Sequence, residues 1–159
     1  MAKPIVRTKP HHFLDIIAAL GEGITSYEPH AYGHAVHSVA AKLLADPGTE
    51  IELVIGADDI CAPCRHNAGG ACNDTIDISF RPKAPRSKGH WNRRIDERWF
   101  ERLGLKEGDR MAASAFCRAA LDRMGDITDI YREEPAERTA AREAKLRKGL
   151  ALYLRSDAK

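Results

Sequence analysis

Residues 51–64 read IELVIGADDICAPC. The first five, Ile51 to Ile55, are rich in β-branched residues and close on Gly56, which predicts a strand. The remainder runs through Asp58 and Asp59 into Cys61-Ala62-Pro63-Cys64. A strand that empties into a C-x-x-C turn ties the cysteines to the edge of a sheet. The loop extends from Ala57 to Asp74 and holds Pro63, Gly69-Gly70 and Cys72, a composition suited to wrapping backbone around a ligand. Three of the chain's four cysteines therefore share one loop, and the fourth, Cys117, lies far downstream.

Outward from this stretch the chain reads as mostly helical. Residues 1–10 form a basic arm with two prolines, and Phe13 to Leu20 a short apolar helix stopped by Gly21 and Gly23. Pro29 suits the first turn of a helix running to Ala45, with Val36, Val39, Ala40 and Leu43 on its core face. On that reading His30, His34 and His37 share the opposite face. Residues 75–80 (TIDISF) alternate and predict a second strand. Residues 81–94 are basic, with no acidic residue. Trp91, Ile95, Trp99 and Leu103 then recur at helical spacing, with Gly104 as the stop. Asp109 is placed to N-cap a helix from Arg110 to Met124, which carries Cys117. Leu146, Leu150, Tyr153 and Leu154 form the stripe of a last helix, Pro135 to Leu154. The expected fold is α+β and mostly helical, with about five helices and a small two-stranded sheet beside the cysteine-rich metal-binding loop. One domain over residues 1–159 is expected, with the loop at 57–74 and a C-terminal helical part at 91–155.

The 159 residues are 43% apolar, enough for a real core, and carry a net charge of +2. That balance gives no argument for a nucleic-acid or membrane partner. Residues 13–20 are interrupted by Asp15 and lack a cleavage pattern, and nothing approaches the roughly 20 apolar residues of a membrane helix. A cytoplasmic protein is expected. In a reducing compartment four cysteines read as ligands or buried thiols rather than disulfides.

Two sulfurs of a C-x-x-C lie on one side of a tight turn and reach one metal, and Cys72 can join them past the glycine pair. Cys61, Cys64, Cys72 and Cys117 together complete a four-thiolate site for an iron–sulfur cluster or for Zn2+. Three clustered cysteines and one distant one suit a cuboidal 4Fe–4S cluster, whereas zinc ribbons more commonly use two C-x-x-C pairs. Cys117 alternatively packs as a small hydrophobe. A thioredoxin-type redox pair would need a βαβ setting that the pattern lacks. His11 and His12, directly after Pro10, can supply a ligand, a proton or a hydrogen bond to a cluster sulfur, and His66 lies inside the loop.

Lys9-Pro10-His11-His12-Phe13-Leu14, then Gly21-Glu22-Gly23 and Tyr27, is similar to the Arg-Pro-His-His-Leu-Leu-Cys opening of domain-of-unknown-function family 1284, found in bacteria and archaea. Ile51 to Val54 with Gly56-Ala57-Asp58-Asp59-Ile60-Cys61-Ala62-Pro63-Cys64, followed by Gly70 and Cys72, resembles that family's strand, acidic turn and cysteines. The resemblance covers about residues 5–75 and implies an iron–sulfur-binding protein without naming a reaction. Asp15 stands where the family's opening has a cysteine, and residues 125–159 hold no second cysteine cluster. Either Cys117, Asp15 or a histidine then completes the ligand set.

The leading expectation is a 4Fe–4S protein for electron transfer, redox sensing or service to a metalloenzyme, with a redox or metalloenzyme protein as partner. A zinc-stabilised interaction module using the basic stretch on nucleic acid or an acidic partner is the second. The third is an enzyme with an open iron site. No hydrolase triad, phosphate-binding glycine loop or dinucleotide fingerprint is present, which weighs against catalysis.

Overall fold

The computed structural model describes residues 4–157. Its elements are β1 (Val6–Thr8), α1 (Pro10–Gly21), α2 (Val36–Ala45), β2 (Glu50–Leu53), β3 (Asn67–Ala68), β4 (Ala71–Cys72), α3 (Lys88–Leu103), β5 (Arg110–Ala112), α4 (Ala113–Arg123) and α5 (Ala136–Asp157). The fold is α+β and mostly helical, with five helices, as expected. Its sheets differ from expectation. A three-stranded sheet runs β1-β2-β5, and β3-β4 is a separate hairpin inside the cysteine loop.

The strand read from Ile51 is the centre of the larger sheet. It pairs in parallel with β1, Val6 opposite Ile51, and antiparallel with β5, Ile51 opposite Met111. A parallel pair needs a long crossover, and α1 and α2 supply it. Glu52 is gripped across the sheet by Arg7 and Arg110, each at 3.0 Å. Residues 1–3 of the basic arm lie outside the described residues; the rest of it contains β1. The Arg110 start of the expected fourth helix is strand instead. Asp109 accepts from Lys106 in the preceding turn, and α4 starts at Ala113 with Ala112 as N-cap.

Two further expectations are corrected. Residues 75–80 keep their alternation, apolar side chains half-buried and polar ones exposed, yet form one isolated bridge, Thr75 to Ser87. The opposite segment, residues 81–87, runs through turns and bends and offers no ladder. The helix expected from Pro29 begins only at Val36, because Gly33 adopts a φ of +78° in a turn closed by its N–H on the His30 carbonyl. His30, His34 and His37 therefore share no helix face.

The long helices behave as their sequence dictates. Trp91, Ile95, Trp99 and Leu103 of α3 are all buried, and Gly104 closes the helix at φ +69°. Trp99 donates its indole N–H to Tyr131 at 3.1 Å. Arg98 holds Glu133 through two hydrogen bonds at 2.7 and 2.8 Å, with Arg94 adding a third. The basic stretch is thus partly neutralised from within, since Arg81 also pairs with Glu134. Helix α1 packs along α5 at backbone contact: a Cβ on Gly149 would fall on the Ile17 carbonyl, and one on Gly21 on the Lys145 carbonyl. No helix among the described residues is long and apolar enough to cross a membrane.

Gly149→Ala is expected to destabilise the fold by about 3 kcal/mol, because overpacking outweighs the roughly 1 kcal/mol of helix propensity gained. A urea midpoint measurement checks it. Glu133 gives a pH test. Hydrogen bonds from Arg98 lower its pKa from 4.5 to about 2. A depressed carboxylate pKa contributes stability that is complete above the unfolded value and lost as pH falls through the folded one. The protein should lose more stability between pH 5 and pH 2 than Glu133→Gln does, by about 2 kcal/mol, seen in thermal unfolding at the two pH values.

Candidate metal centre

The site is assembled where β1 ends, α1 begins and the chain leaves β2. Asp58 is the joint. Its carboxylate is 2% exposed and accepts four hydrogen bonds. Oδ2 takes the Lys9 N–H at 2.9 Å and His12 Nδ1 at 2.8 Å, and Oδ1 takes the Ile60 and Cys61 N–H groups at 3.0 Å each. Burial would raise the Asp58 pKa, but His12 and the surrounding donors outweigh it and hold the group well below the usual carboxylate range. Asp58 also starts the turn itself, its carbonyl accepting from Ala62 N–H before Cys61 closes on Cys64. The two aspartates read in the sequence divide the work, since Asp59 anchors the loop to the Arg7 N–H.

An ionised carboxylate only accepts, so His12 carries its proton on Nδ1 and its lone pair on Nε2. Burial lowers the His12 pKa despite the Asp58 charge, which keeps the ring neutral. A histidine backed by a carboxylate is the arrangement common to metal-binding imidazoles. One ligand atom from each of His12, Asp58 and Cys61 lies within 4.8 Å of the others. Asp58 has spent its oxygens on four donors, so it positions its neighbours rather than binding a metal.

Cys61, Cys64 and Cys72 line one small cavity with Lys9, Ala57, His66 and Asn67. The His66 N–H points at Cys64 Sγ at 3.5 Å, and its ring meets Asn73 at 3.0 Å. Burial, helped by the Asp58 charge and opposed by Lys9, pushes the Cys61 thiol up to about 11. An unliganded thiol there stays protonated at neutral pH, and a bound metal would displace the proton.

Cys117 is elsewhere. It is wholly buried on α4 in the hydrophobic core and does not line this cavity. Asp15 is exposed on α1 and pairs with Arg142 of α5 at 3.2 Å. His11 sits next to His12, ring centroids 4.5 Å apart, but turns to Asp96 of α3. Burial opposes protonation of His11; the Asp96 charge and hydrogen bond overcome it, so its pKa is raised.

No spacing or motif pointed to the ring ladder beside the loop. His30 stacks on His34 at 4.2 Å and meets Tyr32 at 4.6 Å, which meets His66 at 4.6 Å. Arg65 lies over Tyr32 and donates its N–H to the Tyr32 carbonyl. The triple histidine, misplaced on a helix by its spacing, instead contributes His30 and His34 to an aromatic wall against the C-x-x-C.

The donor set suits a soft metal centre. Zinc at about 2.3 Å from each sulfur needs its thiolates about 3.8 Å apart. Among the described residues, Cys61, Cys64 and Cys72 do not gather their three sulfurs within 4.8 Å of one another. The cavity's free volume is about 30 Å³. The β3-β4 tip beside it is unobstructed: a Cβ at Gly69 or Gly70 would meet nothing within 4 Å.

Residues 27–132 match the family described as "Protein of unknown function (DUF1284)". That span is about two thirds of the chain and includes all four cysteines, and the protein belongs to this family. No curated protein and no solved structure shows significant similarity to the chain.

Asp58→Asn presents an amide to donors that need an acceptor. It is expected to cost about 3 kcal/mol and to speed labelling of Cys61 by a thiol reagent, measured by urea unfolding and labelling kinetics.

Proposed function

We propose that this protein binds an iron–sulfur cluster of the 4Fe–4S type through Cys61, Cys64 and Cys72, with His12 as the fourth ligand. The observation that carries the reading is the shared cavity: three thiols from two turns of one loop, spread rather than gathered on a point, beside an imidazole already oriented by a carboxylate. The His66 N–H on Cys64 supports it, since hydrogen bonds to sulfur tune cluster potentials. When bound, the cluster supplies one-electron chemistry. The protein's own part is to hold the loop through Asp58, to offset thiolate charge with Lys9, and to shield one side with the ring ladder. The role is electron transfer, redox sensing or service to a metalloenzyme, with a protein partner and a cytoplasmic setting.

A single zinc ion is the second reading, favoured by the small free volume and by the closeness of His12 to Cys61. Metal and sulfide analysis of protein purified without oxygen separates the two. The cluster reading expects a brown protein with about four irons and matching acid-labile sulfide. A colourless protein with about one zinc overturns it. Cys61→Ala, Cys64→Ala and Cys72→Ala should each lose the centre, whereas Cys117→Ala should keep it. His12→Ala should keep iron but change the electron paramagnetic resonance of the reduced state.

A further inference from the structure

Beside the cysteine cavity lies a second cleft, of about 300 Å³, lined in part by Lys9, Cys72, Gly89, Asn92, Arg93 and Asp96. Its size falls at the lower end of small-molecule sites. Lys9 and Cys72 border both cavities.

Two buried polar residues that line this cleft leave their side chains without hydrogen-bond partners. Lys9 is 4% exposed, and its ammonium makes no hydrogen bond or ion pair among the described residues. Asn92 is 7% exposed, and its amide likewise has no hydrogen bond among them. The Lys9 charge is felt by Asp58 and Cys61, but neither side chain has spent its hydrogen-bond donors, so both keep them for a group that enters. The backbone adds to this. The N-terminus of α3 reaches the cleft, its Ser87 cap already engaged with the His90 N–H, while the Gly89 N–H has no partner among the described residues. Free N–H groups at a helix start favour negative charge. Gly89 is close against the Cys72 carbonyl, which any Cβ would approach to 2.9 Å. The one acid of the cleft, Asp96, is already bonded to His11 through ring and backbone, which offsets its charge. Arg93 at the rim, shared with Glu97, adds positive potential.

We propose that this cleft binds the carboxylate or phosphate group of a small metabolite, held by Lys9, Asn92 and the Gly89 N–H against Cys72. The site goes beyond the metal-binding reading and does not depend on it, because Asn92 and the Gly89 N–H come from α3 and Lys9, the N-cap of α1, borders both cavities. Its place makes it a substrate or effector site next to whatever the cysteines hold.

The purified protein is titrated separately with inorganic phosphate and with malonate, followed by amide NMR shifts. Saturable binding of either probe, with shifts at Gly89 and the Asn92 side chain, is expected; the stronger of the two names the group. Lys9→Gln and Asn92→Ala should each weaken that binding about tenfold or more, while Arg7→Gln, on an exposed strand position, leaves it unchanged. Absence of saturable binding with both probes overturns the proposal, as does equal affinity in both cleft variants when they melt normally. A colourless, metal-free preparation that still binds the anion sinks the cluster reading and leaves this site standing.

Discussion

A buried carboxylate that accepts four hydrogen bonds is the constraint on which this structure turns. Asp58 receives donors from the strand–helix junction, from the first turn of α1 and from the cysteine turn itself. The cysteine turn lies 46 to 49 residues beyond the other two in sequence. The energetic logic is that of any buried anion: desolvation is offset only if each lone pair is met. Once that condition holds, the positions of Lys9, His12 and Cys61 follow together.

The neighbouring histidine repeats the device with a different partner. His11 turns to Asp96 of α3 while His12 turns to Asp58, so two adjacent residues fasten α1 to two distant segments. The result is a rigid floor under two cavities that share Lys9 and Cys72. The glycine-rich hairpin above is open, and the helical layer beneath is packed around Trp99, Phe13 and Phe116. Stiff support and an open rim are what a ligand-binding loop needs.

Much of this was legible in the residues, and the exceptions have causes. The α3 stripe, the α5 stripe, the central strand and the cysteine loop were readable because each rests on a local period or a turn signal. Strands β1 and β5 were not, since three residues carry no period and their pairing with β2 is a tertiary fact. Spacing placed His30, His34 and His37 on one helix face, and the Gly33 turn moved them off it. Cys117 looked like a ligand by count alone; the fold puts it on the core face of α4, beside Phe116 and outside the lining of the loop cavity. Lys9 was invisible as a site residue, because only the fold shows that its ammonium is buried without a hydrogen bond among the described residues.

The contact between α1 and α5 bears on the order in which the molecule comes together. Asp15 and Arg142 lie 127 residues apart in sequence, and Tyr153 reaches the Leu43 carbonyl across 110. Closing such distances costs chain entropy before any packing repays it, and contacts of this kind slow folding. The C-x-x-C turn and its hairpin are local and can close early. Helix α1, which with its N-cap Lys9 brings His11 and His12 to that turn, packs chiefly along α5, so its apolar face is fully covered only when α5 docks. The cysteines can therefore be in place before their neighbours are, and a complete site reports that the chain has finished folding.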